Sequence, residues 1–434
     1  MLINFSCSDC CVFLSNPPPE NPSRLDDSLS HARVAHVAVL GLGYVGLPIA
    51  RAASRAGLRV TGIDPAPDAR ARAVDGAMRV QPRASAEDAP DVWIIAVPTP
   101  LDGRGRPDLG PVQAALGAVA AGLRPGALVL LVSTCQPGAT RQLCAPALAA
   151  GGLTLGEDVF LAVSPERENP GQSGFGLTDT PRLVGALDAA SLARAVRFWE
   201  RLGVPPVPVA SAEIAECAKL LENTYRLVNI ALMGELQQAF AALGVPTRAV
   251  VEAAATKPFG FAPFWPGLGA GGHCIPVDPA YLQREARAAG APSSLIAAAL
   301  RANGARPARV AARIAAALGG SVAGRRILVA GVTYKPDVAD LRGAAPVTLL
   351  RRLRRMGAHV AWHDPVLGAS PAALAGIPRA LTFDAHPDGP IEALVLGTPH
   401  SAYALDRLAH AAPLVVDPFG LLSTDATQGR VLHA

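Results

Sequence analysis

Three clusters in this chain combine residue types and spacings that can do chemistry. In Gly41-Leu42-Gly43-Tyr44-Val45-Gly46 the glycines fall at the positions of a dinucleotide-binding turn. The first permits the tight turn, the second lets backbone approach a pyrophosphate, and the third lets a helix pack on a strand. Asp64 ends the next apolar run, where a carboxylate accepts from a ribose 2′-hydroxyl and repels a 2′-phosphate, so NAD is the expected cofactor rather than NADP. The second cluster, Gly271-Gly272-His273-Cys274-Ile275-Pro276-Val277-Asp278, sets a thiol in a glycine-rich stretch with a carboxylate shortly after it. A lone cysteine is ordinarily a small buried hydrophobe. Beside paired glycines, which are expected to clear space for a ligand, Cys274 reads as a nucleophile that must be approached, with His273 either a base or a structural hydrogen-bonding group. Third, Glu216, Lys219, Asn223 and Arg226 recur at helical spacing and share one helix face. That face is either a solvated polar stripe or, among the apolar neighbours Ala215, Ala218, Leu220 and Leu221, a lysine and an amide able to stabilise an oxyanion.

Positioning these groups requires strands that end in loops. Val37-Ala38-Val39-Leu40 is a short apolar strand, the glycine turn follows, and apolar periodicity predicts a helix to about Ala56. A strand from Leu58 to Ile63 completes a right-handed strand–helix–strand unit, and further strands are expected at Val92 to Val97, Leu128 to Val132 and Phe160 to Val163. From Ser211 to about Leu243 the chain has helical periodicity and no proline, and Pro246 bounds it, which predicts one long helix and then a shorter one. The last third repeats the opening: Ile327-Leu328-Val329-Ala330-Gly331 echoes the first strand, the segment from His359 to Pro365 echoes Arg59 to Pro65, and Ala393 to Pro399 echoes Ile94 to Pro98. The expected fold is α/β, with two Rossmann-like doubly wound domains joined by a helical middle domain built on one long central helix. The expected boundaries are a tail at 1–35, a cofactor domain at 36–208, a helical and dimerising domain at 209–315, and a second Rossmann-like domain at 316–434. That second half has Val332-Thr333-Tyr334-Lys335-Pro336-Asp337 in place of the glycine turn, so it need not hold the same ligand; a helix from about Pro346 to Met356 is expected after it.

Composition excludes several other classes. Half of the 434 residues are apolar and 17% are charged, so the chain can bury a large core, and no apolar run reaches the length that crosses a bilayer. A net charge of +4 with scattered arginines gives no nucleic-acid footprint and suits anionic small molecules. Seven thinly spread cysteines point to a reducing compartment, and Cys7, Cys10 and Cys11 lack a second pair at zinc-ribbon spacing, so no metal is expected. They fall in a proline-rich tail without a secretory signal's basic start or cleavage site, and a cytoplasmic protein is expected.

The residues resemble the UDP-glucose/GDP-mannose dehydrogenase family from about His36 to the C-terminus. Four stretches carry the resemblance: Gly41 to Pro48 (GLGYVGLP), Ser164-Pro165-Glu166-Arg167, Ala218 to Thr224 (AKLLENT), and Gly269 to Pro279 around GGHCIPVDP. The run from Ala253 to Phe261, with Pro266-Gly267 after it, is similar to the branch acting on UDP-N-acetylglucosamine or UDP-N-acetylmannosamine. The resemblance implies NAD-dependent, four-electron oxidation of a sugar C6 hydroxyl to the uronic acid, feeding a polysaccharide route. UDP-glucose or GDP-mannose are the alternative substrates, and a non-catalytic nucleotide-sugar-binding protein is the alternative of another class. It implies Cys274 as nucleophile through a thiohemiacetal and a thioester, Lys219 and Asn223 as stabilisers of oxyanions, Glu166 and Asp278 for water and proton transfer, and Thr134 near cofactor and water. Val97-Pro98-Thr99-Pro100 resembles the loop under the nicotinamide, so Pro98 and Thr99 join Gly41, Gly43, Tyr44, Val45, Gly46 and Asp64 as cofactor residues, with Arg342 matching a further basic position. The loop from Phe259 to Gly272, including Phe264 and Gly271, would hold the sugar and diphosphate together with Arg167, Arg226 and Lys335. The relatives implied are homodimers or higher homo-oligomers. The chain departs from the family pattern in a short segment between Asp64 and Trp93, in Leu131 to Pro137, and at Gly343-Ala344.

Overall fold

The structure is a computed structural model and describes residues 34–74, 76, 78–85, 88–168, 176–368, 371–422 and 430–434. The tail expectation, with Cys7, Cys10 and Cys11, lies outside the described residues.

The described residues divide into two compact units, one within 34–227 and 273–300, the other within 228–272 and 301–434. The first unit carries β1 (His36–Leu40), β2 (Arg59–Ile63), β3 (Arg79–Gln81), β4 (Val92–Ile95), β5 (Leu128–Leu131), β6 (Phe160–Val163), β7 (Arg182–Ala186) and β8 (Pro206–Pro208). They lie in the order β3-β2-β1-β4-β5-β6-β7-β8, and the β6–β7 pair is antiparallel in an otherwise parallel sheet. Between the strands run α1 (Gly46–Arg55), α2 (Pro67–Ala73), α3 (Gly110–Gly122), α4 (Ala145–Ala149) and α5 (Ala189–Arg201). The long helix α6 (Ala212–Ala242) follows and takes up nearly the whole predicted span; after it come α7 (Thr247–Ala255), α8 (Asp278–Ala288) and α9 (Ser294–Ala317). α6 ends at Ala242, before Pro246, in a turn where Gly244 takes φ +74 and the Val245 N–H donates to the Phe240 carbonyl at 2.9 Å; Pro246 then precedes α7.

The strands are apolar at consecutive positions because both faces of the sheet are covered. Alternation sends Val37 and Val39 into a core shared with Ile49 and Ala53 of α1 and with Phe198 and Trp199 of α5. Ala38 and Leu40 point the other way, into a core with Val112, Leu116 and Val119 of α3 and with Ala212 and Ala215 of α6. Strand order reverses between β1 and β4, which opens the crevice at their carboxyl ends where a doubly wound sheet takes its ligand. β4 stops at Ile95, short of the predicted Val97, where the Ala96 carbonyl oxygen closes against Gly41.

In the second unit β9 (Arg326–Ala330), β10 (His359–His363), β11 (Ala393–Leu396), β12 (Leu414–Val416) and β13 (Arg430–Leu432) form a parallel sheet in the order β10-β9-β11-β12-β13. This is the other common doubly wound order. α10 (Ala345–Arg355) and α11 (Leu405–Ala409) pack on its two faces through Leu350 and Leu353, and through Leu408. The internal repeat is real at the level of backbone: Gly331 has φ +82 and packs against Thr398, as Gly41 has φ +92 and packs against Ala96. Asp364, the echo of Asp64, is fully buried and accepts from the Val332 N–H at 2.7 Å, and His400 Nε2 lies 3.1 Å from the same oxygen. The chain's own imidazole thus packs against the carboxylate that corresponds to Asp64.

Candidate active site

The glycine turn joins β1 to α1, and its three glycines do different work. A Cβ on Gly46 would run into the Gly41 carbonyl oxygen, so this position is glycine for packing alone. At Gly43 a Cβ would meet nothing within 4 Å; the backbone there faces open space. Helix α1 begins without a side-chain cap and without an acidic residue in its first turn, which suits a helix start meant for a phosphate. Asp64, at the end of β2, holds the turn in shape by accepting from the Leu42 N–H at 2.8 Å and the Ala66 N–H at 2.8 Å. These residues fit a dinucleotide: open backbone, an uncapped helix N-terminus and an oriented carboxylate. Tyr44 is exposed and Val45 half-buried at the same turn.

At the end of the next strand, Pro98 is exposed and Thr99 buried. The loop is anchored from two sides. Ser133 Oγ, just after β5, donates to the Val97 carbonyl at 2.7 Å, and the Tyr281 hydroxyl of α8 donates to the Thr99 carbonyl at 3.2 Å. Burial holds the Tyr281 phenol well above its usual range, so it stays a donor. Thr134 follows Ser133 and is half-buried.

Helix α6 then presents its polar face inward. Glu216, Lys219 and Asn223 are 3%, 5% and 4% exposed, so the stripe is not solvated. Glu216 is a clamp: it accepts from the Gly138 N–H at 2.6 Å and from the Thr140 N–H and hydroxyl at 2.8 and 2.6 Å. Lys219 Nζ lies 3.5 Å from Glu166 Oε2, and Asn223 Nδ2 donates to Asp278 Oδ2 at 2.6 Å. Burial by itself would lower the Lys219 ammonium, but the facing Glu166, Asp278 and Cys274 outweigh it and hold it raised. Burial lifts the Asp278 carboxyl to about 6, against the opposing pull of Lys219 and of the Asn223 hydrogen bond. Glu166 Oε1 is buried and accepts no hydrogen bond among the described residues.

Cys274 is an exposed thiol in the field of Lys219. Its carbonyl accepts from the Val277 and Asp278 N–H groups at 3.1 and 2.9 Å, so the nucleophile sits on the turn that starts α8. The glycines before it do not clear space for a ligand as expected. A Cβ on Gly271 would meet the Gly343 carbonyl at 2.7 Å, and one on Gly272, at φ +83, the Tyr334 ring at 2.9 Å. The pair lets the chain's own backbone and an aromatic ring close in. The Gly272 N–H donates to the Arg342 carbonyl at 3.0 Å, while the Arg342 guanidinium grips Asp340 with a shortest contact of 2.6 Å. Lys335 is half-buried.

Of the other expected substrate residues, Arg167 is paired with Glu222 at 2.8 Å and donates to the Pro181 carbonyl at 2.7 Å. Arg226 is exposed, two turns from the buried Lys219, and Phe264 is half-buried. Sequence reasoning missed Tyr281, Glu168 and Arg182. No local pattern announces a phenol that reaches a distant loop, or an ion pair between residues so far apart in the chain. Among the described residues no cluster of side chains could hold a metal ion, and no helix is long and apolar enough to cross a membrane.

A dinucleotide turn at a strand-order reversal, with a thiol, a buried lysine and two buried carboxylates in the same unit, is the apparatus of an NAD-dependent dehydrogenase. Comparison with known proteins places it further. The chain belongs to the UDP-glucose/GDP-mannose dehydrogenase family: the family's NAD binding domain matches residues 70–203, its central domain 213–305 and its UDP binding domain 328–424. It is therefore an NAD-dependent nucleotide-sugar dehydrogenase. It is 32% identical to the UDP-N-acetyl-D-glucosamine 6-dehydrogenase of Pseudomonas aeruginosa, over 91% of this chain and 99% of the relative. Among solved structures it resembles a UDP-glucose dehydrogenase from Pyrobaculum islandicum (TM-score 0.80, 28% identity, 93% and 98% of the two chains). It also resembles a UDP-D-ManNAc dehydrogenase from Pyrococcus horikoshii (TM-score 0.78, 27% identity, 92% and 98%).

Proposed function

We propose that the enzyme oxidises the C6 hydroxyl of a UDP-N-acetylhexosamine, UDP-N-acetylglucosamine or UDP-N-acetylmannosamine, to the uronic acid through Cys274. The observation that carries this reading is the buried set Glu166–Lys219 and Asn223–Asp278 beside an exposed thiol. The substrate class rests on likeness to relatives named for that activity, at 32% identity.

Gly41, Gly43, Gly46, Asp64 and the Pro98-Thr99 loop would hold NAD⁺, which would supply the hydride acceptor at C6, one molecule for each of the two oxidations. The chain's own residues handle protons, oxyanions and the acyl group. Lys219 stabilises the alkoxide as the C6 hydroxyl is deprotonated, which a raised ammonium between carboxylates can do without leaving the charged state. An aldehyde has no hydroxyl to deprotonate. The Cys274 thiolate adds to its carbonyl carbon, and the resulting thiohemiacetal restores an oxygen–hydrogen bond for the second oxidation. The product of that oxidation is a thioester on Cys274. Glu166, whose Oε1 accepts no hydrogen bond among the described residues, holds and deprotonates the attacking water; Lys219 and Asn223 receive the tetrahedral oxyanion; Asp278, lifted to about 6, exchanges the proton that returns the thiol.

In this reading Arg167, Arg226, Lys335, Phe264 and Gly271 serve the nucleotide sugar, Thr134 and Arg342 serve the cofactor side, and the domains run 36–208, 209–315 and 316–434. Ile214, Leu221, Tyr225 and Leu232 are exposed along one stripe of α6, which supports a homodimer or higher homo-oligomer sealed on that helix. A thiol nucleophile needs a reducing compartment, which supports the cytoplasm. The test is NADH formed per sugar consumed, with UDP-N-acetylglucosamine, UDP-N-acetylmannosamine and UDP-glucose supplied separately, for wild type and Cys274→Ala. Two NADH per N-acetylated sugar, lost in the variant, is the expected result. Turnover of UDP-glucose alone would overturn the substrate, and undiminished stoichiometry in Cys274→Ala would overturn the covalent route.

A further inference from the structure

The segment 164–168, which carries Glu166 out of β6, is held at both ends by one buried side chain. Arg182, the first residue of β7, is 2% exposed. Its Nη2 donates to the Ser164 carbonyl at 3.3 Å, and its Nη1 lies 3.5 Å from Glu168 Oε1. Ser164 Oγ adds a bond to the Leu183 carbonyl at 2.8 Å. Glu166 stands between these two anchors, with Oε2 facing Lys219 and Oε1 without a hydrogen-bond partner among the described residues. The guanidinium stacks 4.6 Å over the Trp199 ring, so its plane is fixed from below.

We propose that Glu168, through its ion pair with Arg182, is a positioning residue for Glu166: the charged pair pins the Glu168 end of the segment 164–168 and keeps Glu166 aimed at the attacking water. This rests on the reading of Glu166 as the base for thioester hydrolysis. Loss of the Glu168 charge removes the anchor at one end while Ser164 holds the other, so the loop keeps its start and loses its aim. A side-chain amide still fills the space but pairs with a guanidinium far less strongly than a carboxylate does.

The pair is also placed to respond to pH. Burial raises the Glu168 carboxyl to about 7, with Arg182 pulling it down and Glu166 pushing it up. Burial in turn lowers Arg182, against the pull of Glu168 and Glu166 and together with repulsion from Arg167. The charged groups facing this cluster are Arg182 from β7, Lys219 from α6, Glu166 and Arg167 on the loop itself, and Glu222 of α6, which is tied to Arg167. Glu168 therefore ionises as pH rises through neutrality, and the anchored loop forms with it.

The experiment is steady-state turnover of the nucleotide sugar that wild type oxidises, from about pH 6 to about pH 8.5, for wild type, Glu168→Gln, Glu168→Asp and Glu166→Gln, with thermal melting of each as the folding control. Glu168→Gln is expected to fold, to lose the rise of kcat through neutrality, and to run about tenfold to a hundredfold slower than wild type at the alkaline end, as a misaimed base does. Its KM should change little, and intact mass spectrometry in turnover should show acyl-enzyme building up on Cys274. Glu168→Asp should recover part of the rise. A Glu168→Gln profile that follows wild type in shape would overturn the positioning role. Undiminished turnover in Glu166→Gln would instead sink the reading of Glu166 beneath it, so the two failures are distinguishable.

Discussion

Replacing Lys219 by methionine removes the ammonium that faces Glu166 and Asp278 while keeping the length of the side chain. Deleting one partner of a buried ion pair costs about 3–5 kcal/mol when the remaining charge stays ionised. The carboxylates have an escape, which is to take up a proton, and this makes the penalty depend on pH. Asp278 sets the scale: its carboxyl rises from 3.8 to about 6 even with Lys219 present, a shift worth about 3 kcal/mol at roughly 1.4 kcal/mol per unit. A folded-state pKa raised in this way means the folded protein binds the proton more tightly than the unfolded chain. The stability tied to Asp278 is therefore complete below 3.8 and is lost as pH rises through about 6. Without Lys219 the folded carboxyl climbs further, the loss continues to higher pH, and the variant falls increasingly behind wild type. Lys219→Met is expected to be less stable by about 1 kcal/mol near pH 5 and by about 3–5 kcal/mol near pH 8. Urea unfolding followed by far-UV circular dichroism at the two pH values measures both figures. An equal deficit at both, or a larger one on the acid side, would refute the pairing of Lys219 with buried carboxylates. The same variant should lose about 10²–10³ in kcat, the usual cost of removing one oxyanion donor.

Other substitutions separate packing from binding. Gly46→Ala forces a methyl into the Gly41 carbonyl oxygen and is expected to lower the melting temperature. Gly43→Ala meets nothing within 4 Å and should melt like wild type while weakening NAD⁺ binding in calorimetry; equal melting temperatures for the two variants would contradict the roles assigned to these glycines. On α6, Leu221→Glu puts a charge into the exposed apolar stripe, and under the proposed homo-oligomer sealed on that helix it should lower the mass in light scattering. An unchanged mass would place the interface elsewhere.

Much of the architecture was legible because it follows from local pattern. Consecutive apolar residues such as Val92 to Ile95 mark strands covered on both faces, and the proline-bounded helical run marks α6 to within a residue or so at each end. The glycine turn and Asp64 could be read together because the spacing of a dinucleotide site is written into one strand–helix–strand unit. The residues Lys219 and Asn223 were visible as a helical stripe, yet whether that stripe was solvated stayed open. Only tertiary packing answered it. Burial depends on what covers a face, and the elements that bring Glu166 and Asp278 to α6 come from distant parts of the chain. The same holds for the glycines before Cys274, which proved to admit Tyr334 and Gly343, and for Glu216, which clamps the loop after β5. Arg182 and Glu168 had no pattern at all, since a pair formed across an antiparallel strand connection leaves no period in the sequence. Local spacing thus determined which groups exist and on which elements they ride. The fold decided which of them meet, how deeply they are buried and so what their charges are worth, because desolvation and Coulomb energy depend on every neighbour in space.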